Sequence, residues 1–139
     1  MTLSSEIAAK IRASFARQAL MTTFGAEILS LAPGQVTVTA PITDQVSQQH
    51  GATHAGLTFA LGDTAAGYAA LTLIEGDRDV MTAEMKINLL RPGTGDRLIA
   101  EGRVLKPGRR LIVVQADVFS ESGHQRTHVA VLQGTMVPA

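Results

Sequence analysis

Apolar positions recur with a helical period in two segments of the chain and with period two in most of the rest. Ile7, Ile11 and Phe15, continued by Leu20, predict an N-terminal helix capped by Ser4 or Ser5, with Lys10, Arg12 and Arg17 on its solvated side. The runs Ala26–Ala32 and Gln35–Ile42 flank Pro33-Gly34, a pair suited to a type II turn. In the second run Val36, Val38 and Ala40 face one way and Thr37 and Thr39 the other. A polar loop, 43–53, leads into a long helix expected from about His54 to Leu73. Val80–Leu90 then alternates, with Met81, Ala83, Met85, Ile87 and Leu89 against Thr82, Glu84, Lys86 and Asn88. Arg97–Leu105, Leu111–Phe119 and Arg126–Val137 follow, separated by glycine-containing turns. This spacing predicts an antiparallel meander of four strands.

The order helix, hairpin, long helix, four strands predicts a two-layer α+β domain, one helix against one curved antiparallel sheet of about six strands. A single domain over 1–139 is expected, with an N-terminal helix in 1–22 and the core in 23–139. A single sheet wrapping a single helix leaves strand edges to be blunted or paired with another subunit.

The long helix carries two faces. Leu57, Leu61, Tyr68 and Leu71 form a bulky stripe, and Gly56, Ala60, Asp63, Gly67 and Ala70 a stripe of small residues around one carboxylate. Gly62 and Gly67 each lower intrinsic helix stability by about 1 kcal/mol. Such a helix depends on being packed. From Ala55 to Ile74 the only charged residue is Asp63. A membrane span is disfavoured by that central acid, which costs about 2.5–3.5 kcal/mol on insertion scales. No basic n-region and apolar h-region open the chain, and a cytoplasmic location is expected.

Composition narrows the function. Twelve basic and 12 acidic residues give a net charge of +0, which argues against nucleic acid as the main partner. The absence of cysteine removes disulfides, thiol nucleophiles and thiolate metal sites. Charged residues make up 17%, against a usual share of about 25%, which points to surface covered by a subunit interface. The charge is uneven: between Lys86 and Arg110 lie Lys86, Arg91, Arg97, Arg103, Lys106, Arg109 and Arg110 against Asp96 and Glu101. This segment is either a solvated hairpin region or an attractor for a small polyanion, with Arg109-Arg110 its densest point.

Asp63 has two readings. It is a helix position on an interface or solvent face, or a carboxylate in a restricted environment that raises its pKa and suits it to act as base or nucleophile. His54 and Gly56 open the helix, where free amides either receive ordinary caps or bind a developing oxyanion. The histidines form no metal pattern: His50 and His54 span a loop and a helix start, His124 and His128 flank a turn, and neither pair has the partners zinc takes. There is no G-x-S-x-G elbow and no phosphate-binding G-x-x-x-x-G-K-[ST] loop.

Together these features resemble the hotdog-fold acyl-CoA thioesterases of the phenylacetic-acid-degradation (PaaI-like) family, over about residues 24–137. The core of the resemblance is the stretch from Gln48 through His54-Ala55-Gly56 to Asp63-Thr64-Ala65, followed by Leu90-Arg91-Pro92 and Gly108-Arg109-Arg110. The family Asn is Gln48 here, which keeps an amide. The first Gly of the family His-Gly-Gly is Ala55, which keeps the N–H and adds a methyl group.

The resemblance implies a hotdog fold and metal-independent hydrolysis of an acyl-CoA with an aromatic or medium-chain acyl group, with no cofactor besides the CoA thioester substrate. Asp63 would be base or nucleophile, the Ala55 amide the oxyanion donor, and Gln48 a holder of water or carbonyl. Thr82 would orient the water, while His54 and Gly56 complete the helix start. Arg91, Lys106, Arg109 and Arg110 would meet the CoA phosphates. The same resemblance implies a homo-oligomer in which donor and acid come from opposite subunits, a dimer as minimal unit and a homotetramer as dimer of dimers. Neither nucleic acid nor membrane is an expected partner. Two other readings are a CoA- or acyl-binding hotdog module without turnover and a hotdog dehydratase.

Overall fold

The computed structural model describes residues 2–139. Two short helices, α1 (Ser5–Ala16) and α2 (Ala19–Phe24), precede the hairpin of β1 (Glu27–Ala32) and β2 (Gln35–Pro41). A 3-10 turn at Asp44–Val46 leads to α3 (Ala55–Leu71). Then come β3 (Val80–Leu89), β4 (Arg97–Pro107), β5 (Ile112–Ser122) and β6 (Gln125–Pro138). All six strands form one antiparallel sheet in the order β1-β2-β4-β5-β6-β3, and α3 packs against every strand from β2 to β6. The inward positions Val36, Val38, Leu98, Ala100, Val114, Ala116, Val118 and Leu132 are buried against Leu57, Leu61, Ala65 and Ala69 of the helix.

The small residues of α3 follow from how closely it lies on the sheet. A Cβ at Gly102, in the middle of β4, would stand 2.4 Å from the carbonyl of Ala65. Helix backbone therefore rests directly on strand backbone. Ala65, Ala66, Ala69 and Ala70 are fully buried in that contact, so Ala70 belongs to the core and not to the face of Asp63. Gly102→Ala forces these layers apart and is expected to lower the unfolding free energy by about 1–3 kcal/mol, read from urea denaturation.

Two expectations for the N-terminal segment are corrected, and of its two candidate caps one is used. The N-terminal helix is broken at Arg17–Gln18, so Met21 is buried while Leu20 points outward at 52% exposed. Ser4 is its cap, accepting from the Ile7 N–H at 3.2 Å. Lys10 is not simply solvated. Its Nζ donates to the carbonyls of Ile74, Gly76 and Arg78 at 3.2, 3.0 and 2.9 Å, gathering the loop that follows α3.

The four-strand meander is also corrected: β4, β5 and β6 are consecutive neighbours, but β3 lies beside β6 at the sheet edge and β4 inserts next to β2. Burial explains the choice. Leu98, Ile99 and Ala100 of β4 are all buried and need strands on both sides, whereas β3 exposes residues on both faces and is tolerated only at an edge. Gly34, at φ 74°, gives the turn after β1 the geometry expected of Pro-Gly. No helix among the described residues is long and apolar enough to cross a membrane.

Candidate active site

The polar loop before α3 is folded by Gln48. Its Oε1 accepts from the N–H groups of His50 and Ala52 at 2.6 and 3.2 Å, and its own N–H donates to the Ala52 carbonyl at 2.8 Å. The amide oxygen is thereby used within the loop, and only Nε2 remains for a ligand. Thr53 donates through both N–H and Oγ1 to the Gly93 carbonyl at 2.8 Å, which ties the helix entrance to the Arg91-Pro92-Gly93 turn.

His54 is the N-cap of α3. Its Nδ1 accepts from the Gly56 N–H at 2.7 Å, a role that requires an unprotonated Nδ1. A Cβ at Gly56 would lie 2.9 Å from that nitrogen, so any side chain there displaces the cap. The Leu57 N–H bonds to the His54 carbonyl at 3.0 Å. The Ala55 N–H alone of these first amides has no partner among the described residues. Beside it opens a cavity of about 480 Å³ whose lining includes Gln48, His54, Ala55, Leu89, Leu90 and Arg91.

Asp63 sits eight residues further along α3. At 1.5 Å per residue that is about 12 Å from Ala55. It lines a separate cavity of about 250 Å³ together with Tyr68, Thr82 and Met136. Burial pushes the Asp63 carboxyl above its ordinary value; the hydrogen bond from Thr82 Oγ1 to Oδ1, 2.7 Å long, pulls in the opposite direction and is the weaker influence.

Thr82 reaches this position through a β-bulge. Simple alternation places it on the polar face of β3, opposite to Met85, Ile87 and Leu89. The register instead shifts between Thr82 and Glu84, with Ala83 as the extra residue, and Thr82 pairs with the inward-facing Met136. The bulge turns the hydroxyl toward α3 and the carboxylate.

The expected CoA-binding residues are divided between two ends of the sheet. Arg91 lies by the first cavity and donates from Nη1 to the His128 carbonyl at 3.3 Å. Lys106, Arg109 and Arg110 belong to the β4–β5 hairpin. There Ile112 pairs with Met136 and Met136 with Thr82, which is the Asp63 end. The basic excess is also smaller than the segment suggests: Arg97 pairs with Glu121 and Arg103 with Asp117, both at 2.9 Å. Lys86, Arg91, Lys106, Arg109 and Arg110 have no acidic partner among the described residues.

Sequence reasoning missed Ser14 and Gln18, whose side chains meet the Tyr68 hydroxyl beside Asp63. Both fall on the apolar face of the N-terminal helical pattern, Ser14 three residues after Ile11 and Gln18 three after Phe15, so a polar side chain at a core-facing position was the signal for each. A further signal was Tyr68, the only tyrosine of the chain, which brings a hydroxyl to the bulky stripe of α3. No three His, Asp or Glu side chains converge as a metal site among the described residues.

One antiparallel sheet wrapped on one long helix that carries an isolated carboxylate is the hotdog architecture, and the relatives of this chain give it a chemistry. Residues 50–127 match the thioesterase superfamily. The acyl-coenzyme A thioesterase PaaI of Escherichia coli is 32% identical over 123 residues, covering 88% of this chain and 84% of its own. A thioesterase family protein from Silicibacter pomeroyi superposes with a TM-score of 0.92 at 39% identity, over 95% of this chain and 97% of its own. A Bacillus halodurans protein, solved with CoA, superposes with a TM-score of 0.80 at 26% identity, over 97% of this chain and 89% of its own. The chain belongs to the thioesterase superfamily, with a PaaI-like hotdog fold, and is a thioester hydrolase.

Proposed function

We propose that the substrate is an acyl-CoA with an aromatic or medium-chain acyl group, and that the working unit is a homodimer paired along β3. One observation carries this reading. The free Ala55 amide and the desolvated Asp63 lie about 12 Å apart on one helix, too far to act on one carbonyl. Yet both flank the same strand: the first cavity is lined by Leu89 and Leu90 at its end, the second by Val80 and Thr82 at its start. That strand is a ten-residue edge whose Met81 and Leu89 are 63% and 58% exposed. A two-fold axis through its middle pairs it with its copy. Each amide half-site then meets the partner's carboxylate half-site, and Arg91 joins the partner's hairpin cations near one ligand.

In such a site the thioester oxygen lies against the Ala55 N–H and Gln48 Nε2. Asp63 from the other subunit takes a proton from water as it attacks the carbonyl carbon. The C–S bond then breaks and the proton passes to the departing CoA thiolate, giving free acid and CoA. In the alternative course Asp63 attacks directly and water hydrolyses the mixed anhydride. No cofactor enters either course. Thiol release from an acyl-CoA panel, with light scattering for the mass, tests the reading. Turnover by a species of two or four chains is expected, and no release from any acyl-CoA overturns it.

Thr82→Val probes the carboxylate. Removing a donor that favours the charged form raises the Asp63 pKa further. The active form is the carboxylate, so the acid limb of kcat/KM is expected to move to higher pH. Activity near neutrality falls more than activity at alkaline pH, and an unmoved limb contradicts the assignment.

A further inference from the structure

The N-terminal helix pair adds no strand to the sheet, but it delivers two polar side chains to one atom of α3. Ser14 Oγ lies 2.9 Å from the Tyr68 hydroxyl, and Gln18 Nε2 donates to the same oxygen at 2.7 Å. Gln18 occupies the N-cap position of α2 without capping it, because its side chain is turned to Tyr68. The break between α1 and α2 is thus the point at which both residues reach the hydroxyl. Fully buried Ile11 and Met21 anchor the two helices, and the Phe15 and Tyr68 rings lie 6.2 Å apart. All three polar residues line the Asp63 cavity, with Tyr68 five residues beyond the carboxylate, about 7.5 Å along the helix.

Charge decides which arm of the thioester this cavity takes. Its lining holds the carboxylates of Asp63 and Asp79 and no basic side chain, so it repels a nucleotide diphosphate. The acyl arm is neutral and ends, as an arm entering a walled pocket must.

We propose that Ser14, Gln18 and Tyr68 form the end wall of the acyl pocket and set the longest acyl group accepted. This rests on the acyl-CoA reading above. The wall is polar and tied by hydrogen bonds, so it does not yield to a longer chain as an apolar wall of loose rotamers would. A misfitting methylene in such a pocket changes discrimination by about tenfold or more.

The test uses Asp63→Asn protein, in which turnover is slowed about 10²–10⁴-fold, titrated calorimetrically with straight-chain acyl-CoAs from butyryl to lauroyl, with thiol release followed in parallel to confirm that the ligand stays intact. Affinity should rise with chain length and then fall at a limit. Adding Ser14→Ala and Gln18→Ala should move that limit to longer chains and raise the long-to-short affinity ratio at least about tenfold. Short-chain affinity and the circular dichroism spectrum should hold, since Ile11 and Met21 are untouched. Tyr68→Phe keeps the ring and removes the hydroxyl, and should relax the same limit. An unchanged limit in all variants, or a uniform change at every chain length, overturns the wall while leaving the acyl-CoA reading in place. Binding of none of the series overturns the wall, and failure of phenylacetyl-CoA to bind as well overturns the acyl-CoA reading.

Discussion

Asp63→Asn is expected to reduce kcat for thiol release by about 10²–10⁴-fold, the contribution of a positioned general base, and at the same time to raise the melting temperature at neutral pH. The two effects share a cause. Asp63 is held in a cavity where burial disfavours its charged form, so its folded pKa lies above the unfolded value. The sign of the linkage is the reverse of the usual one for an acid. Below the unfolded pKa the group is neutral in both states and contributes no penalty. As pH rises through the unfolded and then the folded pKa, the folded state ionises less readily and loses stability relative to the unfolded chain. The asparagine variant has no such term. Its gain in melting temperature should be absent in acid and grow toward neutrality. Loss of turnover with a lower melting temperature at all pH values would mean that the residue serves packing instead.

That same carboxylate was the most legible feature of the chain, because a lone acid in an uncharged helix is visible without any coordinates. The inward face of β2 was legible for a similar reason: Val36, Val38 and Ala40 recur with period two, and all three are buried. What could not be read was governed by contacts distant in sequence. Nothing local indicates that β3 pairs with β6 and not with β4; that depends on which strand tolerates an edge. The direction of Thr82 depends on a bulge at Ala83, and one inserted residue reverses the face of everything before it. The break at Arg17–Gln18 has no proline or glycine to mark it, so the link from Gln18 to Tyr68, 50 residues on, emerges only in three dimensions. Gln48 shows the converse. The resemblance pointed to its amide as a group for the substrate, whereas half of that amide is used to fold the loop.

Ala55→Pro should remove the oxyanion donor and leave the fold in place. Ala55 is the first residue of α3, where proline is well tolerated because the N–H lacks an intrahelical acceptor. The preceding residue, His54, already has φ −62° and ψ 138°, the extended conformation that a following proline demands. Losing one such donor lowers kcat by about 10²–10³-fold in comparable sites. The variant also provides a test of geometry that single mutants cannot. If each site combines Ala55 of one subunit with Asp63 of the other, a heterodimer of an Ala55→Pro chain and an Asp63→Asn chain has one doubly defective site and one intact site. Random mixing makes about half of the dimers mixed, each with one of two sites restored, so recovery to about a quarter of wild-type activity is expected from two nearly inactive proteins. Sites contained within single chains leave every site with one defect, and mixing restores nothing. Recovery after co-refolding therefore places the free amide and the carboxylate on opposite sides of the β3 edge, and its absence returns both to one chain, across a gap that the helix itself makes too long.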